Sequence, residues 1–426
     1  MCRQWRCVVF GSPRRLDLRL FCVNWRLAES LDIWPELPIV IHIENEGFSP
    51  LQIVMGVISL LKQHDRVYKI YIEGVPDFLL EELAATSEPF PALVELNLIS
   101  FEDDAPTLPD SFLGGSVPCL RSLNLSGVPF PAIGKLLLST RDLITLSLDS
   151  TPPSGYISPA SMVATLSVLT KLKSLHLNFE TPQHWTHGAS RRTPEFTRIV
   201  LPALTNFHFN GDCMYLEDIV SRIDAPLDFF AVNFSNQPVV SDIPMLRDFI
   251  GRTKIPNVPH QANIYFSSIY ATISLFQRKG DVDSKVLCLE FPISRDTLAG
   301  FSLLARACNS LLPPLPSLEH LGIHKSEPEP WPSRWRNELQ TTRWMELLRP
   351  FSTVKDLVLD KPVALSVASA LQEFIGQRVT EILPALQNIF LDGIRSCDPV
   401  PEDIAKFIAA RQLSGHSIIV HHRGSK

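Results

Sequence analysis

Leu93-Val-Glu-Leu96-Asn-Leu98, Leu120-Arg-Ser-Leu123-Asn-Leu125, Leu143-Ile-Thr-Leu146-Ser-Leu148 and Leu172-Lys-Ser-Leu175-His-Leu177 are four copies of one phrase. Apolar residues stand at its first, fourth and sixth positions. The last two alternate with polar residues, the period of a strand buried on one face. A single copy fits any amphipathic strand, but four in succession make a repeat. Looser copies stand at Val67/Ile70/Ile72 before them, then at Leu204/Phe207/Phe209, Leu227/Phe230/Val232 and Val286/Leu289/Phe291. Leu318/Leu321/Ile323, Val354/Leu357/Leu359 and Leu386/Ile389/Leu391 complete the series. Neighbouring copies start 23 to 36 residues apart, except for one gap of 59 after Leu227. That gap should hide a degenerate strand, placed within Ala262–Ser267.

Segments with helical spacing lie between the phrases: Pro76–Ala85, Ala132–Leu138, Met162–Leu169, Tyr215–Ile223, Met245–Ile250, Leu298–Leu304, Ala364–Ile375 and Ile404–Ala410. A proline often stands two residues before the first leucine, as in Phe-Pro-Ala-Leu93 and Leu-Pro-Ala-Leu386, where it ends a helix and is tolerated ahead of a strand. Strand, loop and helix recurring at this length predict an α/β, irregular leucine-rich-repeat-like solenoid, with a parallel sheet on one face and helices on the other. It should run over 23–426 as roughly 11–13 units. Ile418-Ile419-Val420 reads as a capping strand. An ordinary α/β domain with leucine-rich parallel strands is the alternative. The asparagine that orders regular repeats is missing; its slots hold Phe101, Val128, Thr151 and Glu180, so the coil is irregular.

The chain has 426 residues, 45% hydrophobic and 20% charged, with a net charge of -6, which disfavours a general attraction to nucleic acid or anionic lipid. Glycine is scarce at 19 and proline frequent at 35, which suits short punctuated elements better than phosphate-cradling loops. The eight cysteines form no CxxC pair and read as reduced thiols of a cytoplasmic or nuclear protein. The longest apolar run, Leu51–Leu61, is too short to span a membrane.

The first residues include Cys2-Arg3-Gln4-Trp5-Arg6, then Val8, Val9 and Phe10, then Ser12-Pro13 and Leu16. This string resembles the closing helix and link of an F-box, and with the repeats behind it the chain resembles fungal F-box/leucine-rich-repeat proteins. The resemblance implies a remnant F-box helix over 1–22, with Trp5 on its adaptor side. It also implies a substrate-recognition subunit of an SCF-type ubiquitin ligase. The sequence departs from the family in starting at the motif's last helix, so docking of a Skp-type adaptor would require the missing F-box upstream. A stand-alone repeat interaction protein with no ubiquitin role is the other reading.

Chemistry has little to attach to. GxxxxGK[ST], GxGxxG, GxSxG and HExxH are all absent. The chain reads as a non-enzyme with no catalytic, cofactor or metal residues. Adjacent His421 and His422 would point to opposite faces of a strand. Arg191-Arg192, near Trp185, lacks the aromatic interleaving of a nucleic-acid site, and the paired acids Asp103-Asp104 and Glu327/Glu329 read as solvated charge. Pro328, Trp331 and Trp335 mark a second, lesser candidate surface.

The residues that alternate with the leucines should line an exposed sheet. The candidate binding residues are Glu95, Asn97, Asn124, Asp149, His176, His208, Glu290, Asp356, Asp360 and Asp392. With their neighbours they place seven acids against one base, Lys69, and predict a protein partner with a basic or amide-rich surface.

Overall fold

The apolar phrase enters its strand in the same way in most of its copies. Its first residue closes a tight turn. Leu93 N–H donates to the Phe90 carbonyl at 3.3 Å, Leu120 to Val117 at 3.1 Å, Leu318 to Leu315 at 3.2 Å and Leu386 to Leu383 at 3.0 Å. Pro91, Pro118, Pro316 and Pro384 occupy the second position of these turns, where a φ fixed near −65° fits and no N–H is needed. The prolines therefore shape the entry to the strand as well as ending what precedes it. One carbonyl then bridges to the next repeat: Val94 accepts from both Arg121 and Ser122, Arg121 from Ile144 and Thr145, and Lys355 from Gln387 and Asn388.

A computed structural model describes residues 19–22, 36–44, 50–102, 105–179, 198–235, 243–253, 255, 259–293, 299–312, 314–326, 341–372, 380–393 and 400–423. The chain forms two units, Met1–Thr205 and Asn206–Lys426. Trp5, Asp103-Asp104, Trp185, Arg191-Arg192, Glu327, Pro328, Glu329, Trp331 and Trp335 lie outside the described residues.

In the first unit β1 (Leu20–Cys22), β2 (Ile39–Ile43), β3 (Val67–Glu73), β4 (Glu95–Ile99), β5 (Ser122–Ser126), β6 (Thr145–Thr151) and β7 (Ser174–Phe179) pair in parallel in chain order. A two-residue strand, β8 (Ile199–Val200), follows. Leu96, Leu123, Leu146 and Leu175 stand in register, as do Leu98, Leu125, Leu148 and Leu177. All are buried, so each layer of leucine closes on the next. Helices α1 (Pro50–Leu61), α2 (Asp77–Ala85), α3 (Ile133–Leu138) and α4 (Pro159–Leu166) connect some of the strands; elsewhere a short turn such as Phe112–Gly115 suffices. Leu79, Leu80 and Leu83 of α2 are fully buried. The turn after β5 depends on Gly127, at φ +67, because a Cβ there would stand 2.4 Å from the Ser100 carbonyl oxygen.

The second unit holds β9 (Asn206–Gly211), the two-residue β10 (Ile223–Asp224), β11 (Phe229–Phe234), β12 (Gln261–Phe266), β13 (Tyr270–Lys279), β14 (Val282–Pro292), β15 (His320–Lys325), β16 (Asp356–Asp360), β17 (Asn388–Asp392) and β18 (Ile419–Arg423). Its helices are α5 (Cys213–Val220), α6 (Pro244–Arg252), α7 (Ala299–Ser310), α8 (Thr341–Leu348), α9 (Lys361–Gln372) and α10 (Glu402–Leu413). The strand order β9-β11-β14-β13-β12-β15-β16-β17-β18 departs from a simple solenoid in its middle. The 59-residue gap holds two strands where one was expected. β12 lies where it was placed, but β13 joins it to β14 in an antiparallel meander, and β12 then pairs in parallel with β15. β13 was not foreseen although Ala271-Thr272-Ile273-Ser274-Leu275 alternates; Thr272 and Ser274 on its outer face are themselves buried. Helices α1 and α8 were also unanticipated. β18 is the expected capping strand. Among the described residues no helix is long and apolar enough to cross a membrane.

Candidate protein-binding face

Parallel register turns the alternation into rows of side chains running across each sheet. In the first unit one row reads His42, Tyr71, Asn97, Asn124, Ser147, His176. His42 stacks on Tyr71 at 4.6 Å, and Asn124 Nδ2 donates to Asn97 Oδ1 at 3.0 Å. Beside it Lys69 donates to Glu95. Asp149 accepts from Asn178 Nδ2 at 2.7 Å and Ser126 Oγ at 3.4 Å, with His176 Nε2 at 3.6 Å.

The second unit carries a longer row: His208, Ala231, Cys288, Ser274, Asn263, Gly322, Val358, Phe390, His421. The row nearer the strand ends includes Glu290, Thr272, Tyr265 and His324, then Asp360, Asp392 and Arg423. On the other side stand Gln261, His320, Asp356, Asn388 and Ile419. His208 packs against Phe229 at 4.8 Å. Thr272 Oγ1 donates to Glu290 Oε2 at 3.1 Å. Asp356 binds His320 Nδ1 at 2.8 Å and Asn388 Nδ2 at 2.7 Å.

All ten sequence-derived face residues are half-buried strand positions. Register brings Asn97 to Asn124 and Asp360 to Asp392; the first five candidates lie in one unit and the last five in the other. Several of the acids among them already hold hydrogen-bond partners. Asp360 goes furthest: Oδ1 accepts from Val363 N–H at 3.1 Å, capping α9, and Oδ2 from Lys325 N–H at 2.5 Å. Burial nevertheless holds its carboxyl above the usual carboxylate range. Burial likewise pulls His324 below the usual histidine range, against the opposing pull of Asp360 and Asp392. The leucine phrase gave no sign of Gln261, Asn263, Tyr265, Thr272, Ser274, His421 or Arg423. The weak alternation around Ala262 was the signal for Gln261, Asn263 and Tyr265, and the capping strand at Ile418-Ile419-Val420 was the signal for His421. Among the described residues no group of three or more His, Cys, Asp or Glu could hold a metal ion.

Within each unit the fold is mixed α/β and leucine-rich-repeat-like: mainly parallel strands in register, with buried leucine layers and connecting helices. No protein-family model matches the chain, and no curated protein matches it. A solved structure it resembles is the leucine-rich repeat-containing protein LegL7 from Legionella pneumophila, at 14% identity and a TM-score of 0.30, covering 82% of this chain and 97% of that one.

Proposed function

We propose that the chain is a non-catalytic repeat scaffold that binds another protein on its exposed sheet. One observation supports this above others. Many of the outward side chains are polar, half-buried and cross-bonded in register, as Asn97–Asn124 and His320–Asp356–Asn388 illustrate. Side chains ordered before binding lose little rotamer freedom on contact, which favours recognition. The partner offers amide or basic groups, and the chain needs no cofactor, nucleic acid or membrane for the task. The experiment is capture by immobilised full-length chain, compared with N124K and with an Asp356→Lys variant. A protein retained by wild type and lost by either variant supports the reading. Capture that survives both overturns it. Asp360 is unsuited to this test, since its carboxylate caps α9.

The finer role, substrate recognition for an SCF-type ligase in the cytoplasm or nucleus, rests on the resemblance of Cys2-Arg3-Gln4-Trp5-Arg6 to a closing F-box helix. Co-expression of the chain, with its upstream coding sequence, and a Skp-type adaptor tests it. Failure to co-elute removes the ligase role and leaves a stand-alone scaffold.

A further inference from the structure

Gly322 is buried beneath its neighbours on the outward side of the second unit's sheet. A Cβ there would stand 2.5 Å from His324 Nε2 and 2.7 Å from Asn263 Oδ1. The His324 ring therefore lies over Gly322, level with Val358 and Phe390 in the central row. Tyr265 stacks on one face of that ring at 5.2 Å, on the β12 side, so the other face turns toward β16. Phe390 mirrors this arrangement. His421 stacks on it at 4.7 Å and the Arg423 guanidinium sits 4.4 Å from its centroid, both from β18. Its other face also turns toward β16. Two rings thus face each other over half-buried Val358, two strand spacings or roughly 10 Å apart.

Carboxylates rim this slot. Asp392 follows Phe390 by two residues and so shares its face. Among the described residues it makes no hydrogen bond and no ion pair. Asp356 stands at the other end, bound to His320 and Asn388. The cation of these rows, Arg423, belongs to β18, on the opposite side of β17 from β16. A wall of two π-faces with acids at both ends is complementary to a planar cation. Arginine stacks on such faces and forks onto carboxylates, whereas an ammonium matches neither geometry as well.

We propose that the slot between His324 and Phe390 anchors an arginine side chain of the bound protein, its guanidinium stacked on Phe390 and its N–H groups donating to Asp392. This rests on the protein-binding reading above and names the anchor within it. Burial disfavours the charged form of His324, whose ring adds a second π-face.

The test uses the full chain and a fluorescein-labelled arginine-rich peptide, with a lysine-rich peptide of equal length and charge, read by fluorescence anisotropy. The arginine peptide should bind at least about tenfold tighter than the lysine peptide. V358W, which fills the slot, and D392N, which keeps its shape, should each weaken the arginine peptide about tenfold. D142N, whose carboxylate pairs with Lys171 in the other unit, should leave it unchanged. Should V358W fail to fold by circular dichroism, G322A replaces it, since its new methyl displaces His324 from the wall. Equal affinity for the two peptides, or undiminished binding to both slot variants, overturns the proposal. If the peptide fails while partner capture remains sensitive to N124K, the slot falls and the scaffold reading stands. If capture is also insensitive, the scaffold reading falls with it.

Discussion

Two buried charged residues carry more than their share of the structure. Arg411 is fully buried, and its guanidinium donates to the carbonyls of Ile382 at 2.8 Å, Leu383 at 2.6 Å and Pro384 at 3.4 Å. It thereby holds the turn in which Leu383 takes φ +48. An Arg411→Met variant fills similar volume but takes the side-chain donor from the Ile382 and Pro384 carbonyls, leaving Leu383 only its bond from Leu386 N–H, and should lose about 3 kcal/mol in chemical denaturation. Glu217 is 7% exposed on α5 and accepts from the backbone N–H groups of Met245 at 3.0 Å and Leu246 at 2.6 Å, capping α6. Desolvation pushes its pKa from 4.5 up to about 7, and the two N–H bonds only moderate the rise. A raised folded-state pKa means the ionised carboxylate costs stability. The contribution is whole below about pH 4.5 and is lost as pH climbs through 7. Melting temperature should therefore fall from pH 5 to pH 8 by an amount worth up to about 3 kcal/mol, and E217Q should lack that component. A wild-type and E217Q pair with parallel pH profiles would refute this. Neither role could be read from sequence, where Arg411 and Glu217 look like ordinary charged helix residues.

Helix and strand joints come next. The strand phrases were legible because Leu96, Leu123, Leu146 and Leu175 each repeat the same burial demand at the same offset. The connecting helices were less so: α1 is apolar on most sides, and α8 confines its apolar stripe of Trp344, Leu347 and Leu348 to 8 residues. Asp360 shows how one residue can belong to two elements, ending β16 and capping α9. D360A should cost about 1–2 kcal/mol by thermal or chemical unfolding, and D360N rather less, since its carbonyl oxygen still accepts. The antiparallel meander is the element the repeat could not foresee. Gln277 to Ser284 of the β13–β14 hairpin lie beyond the register of β12 and β11 and pair across the hairpin itself. Two-stranded ribbons alone are marginal, so the tip is held by local contacts such as His260 Nε2 to Asp283 at 3.3 Å. Replacing Arg278 to Ser284 by a shorter turn should leave the stability of the whole chain within about 0.5 kcal/mol.

At the scale of the molecule, stability is distributed along stacked layers, each supported by its neighbours. β5 and β6 have strand partners on both sides, and their leucines are fully buried or nearly so. β18 pairs with β17 alone among the described strands, and Ile419 is 58% exposed. Hydrogen exchange should be slow over Ser122–Ser126 and Thr145–Thr151 and markedly faster over Ile419–Arg423. Equal protection across these segments would contradict a layer-by-layer account. The exposed sheet is legible at this scale only in part: sequence placed ten of its residues correctly on the outward side.

Sequence alone determined the strands, their inward leucines and their outward polar residues, because strand periodicity and burial are local consequences of residue order. The positions of the acids on the face were legible, but their hydrogen-bond partners were not, since Glu95, Glu290, Asp356 and Asp360 find them on other elements. The tertiary structure decided those pairings, the reversal of β13, and the slot over Val358. Each depends on which strands become neighbours, and register between distant segments is set by the packing of the whole unit.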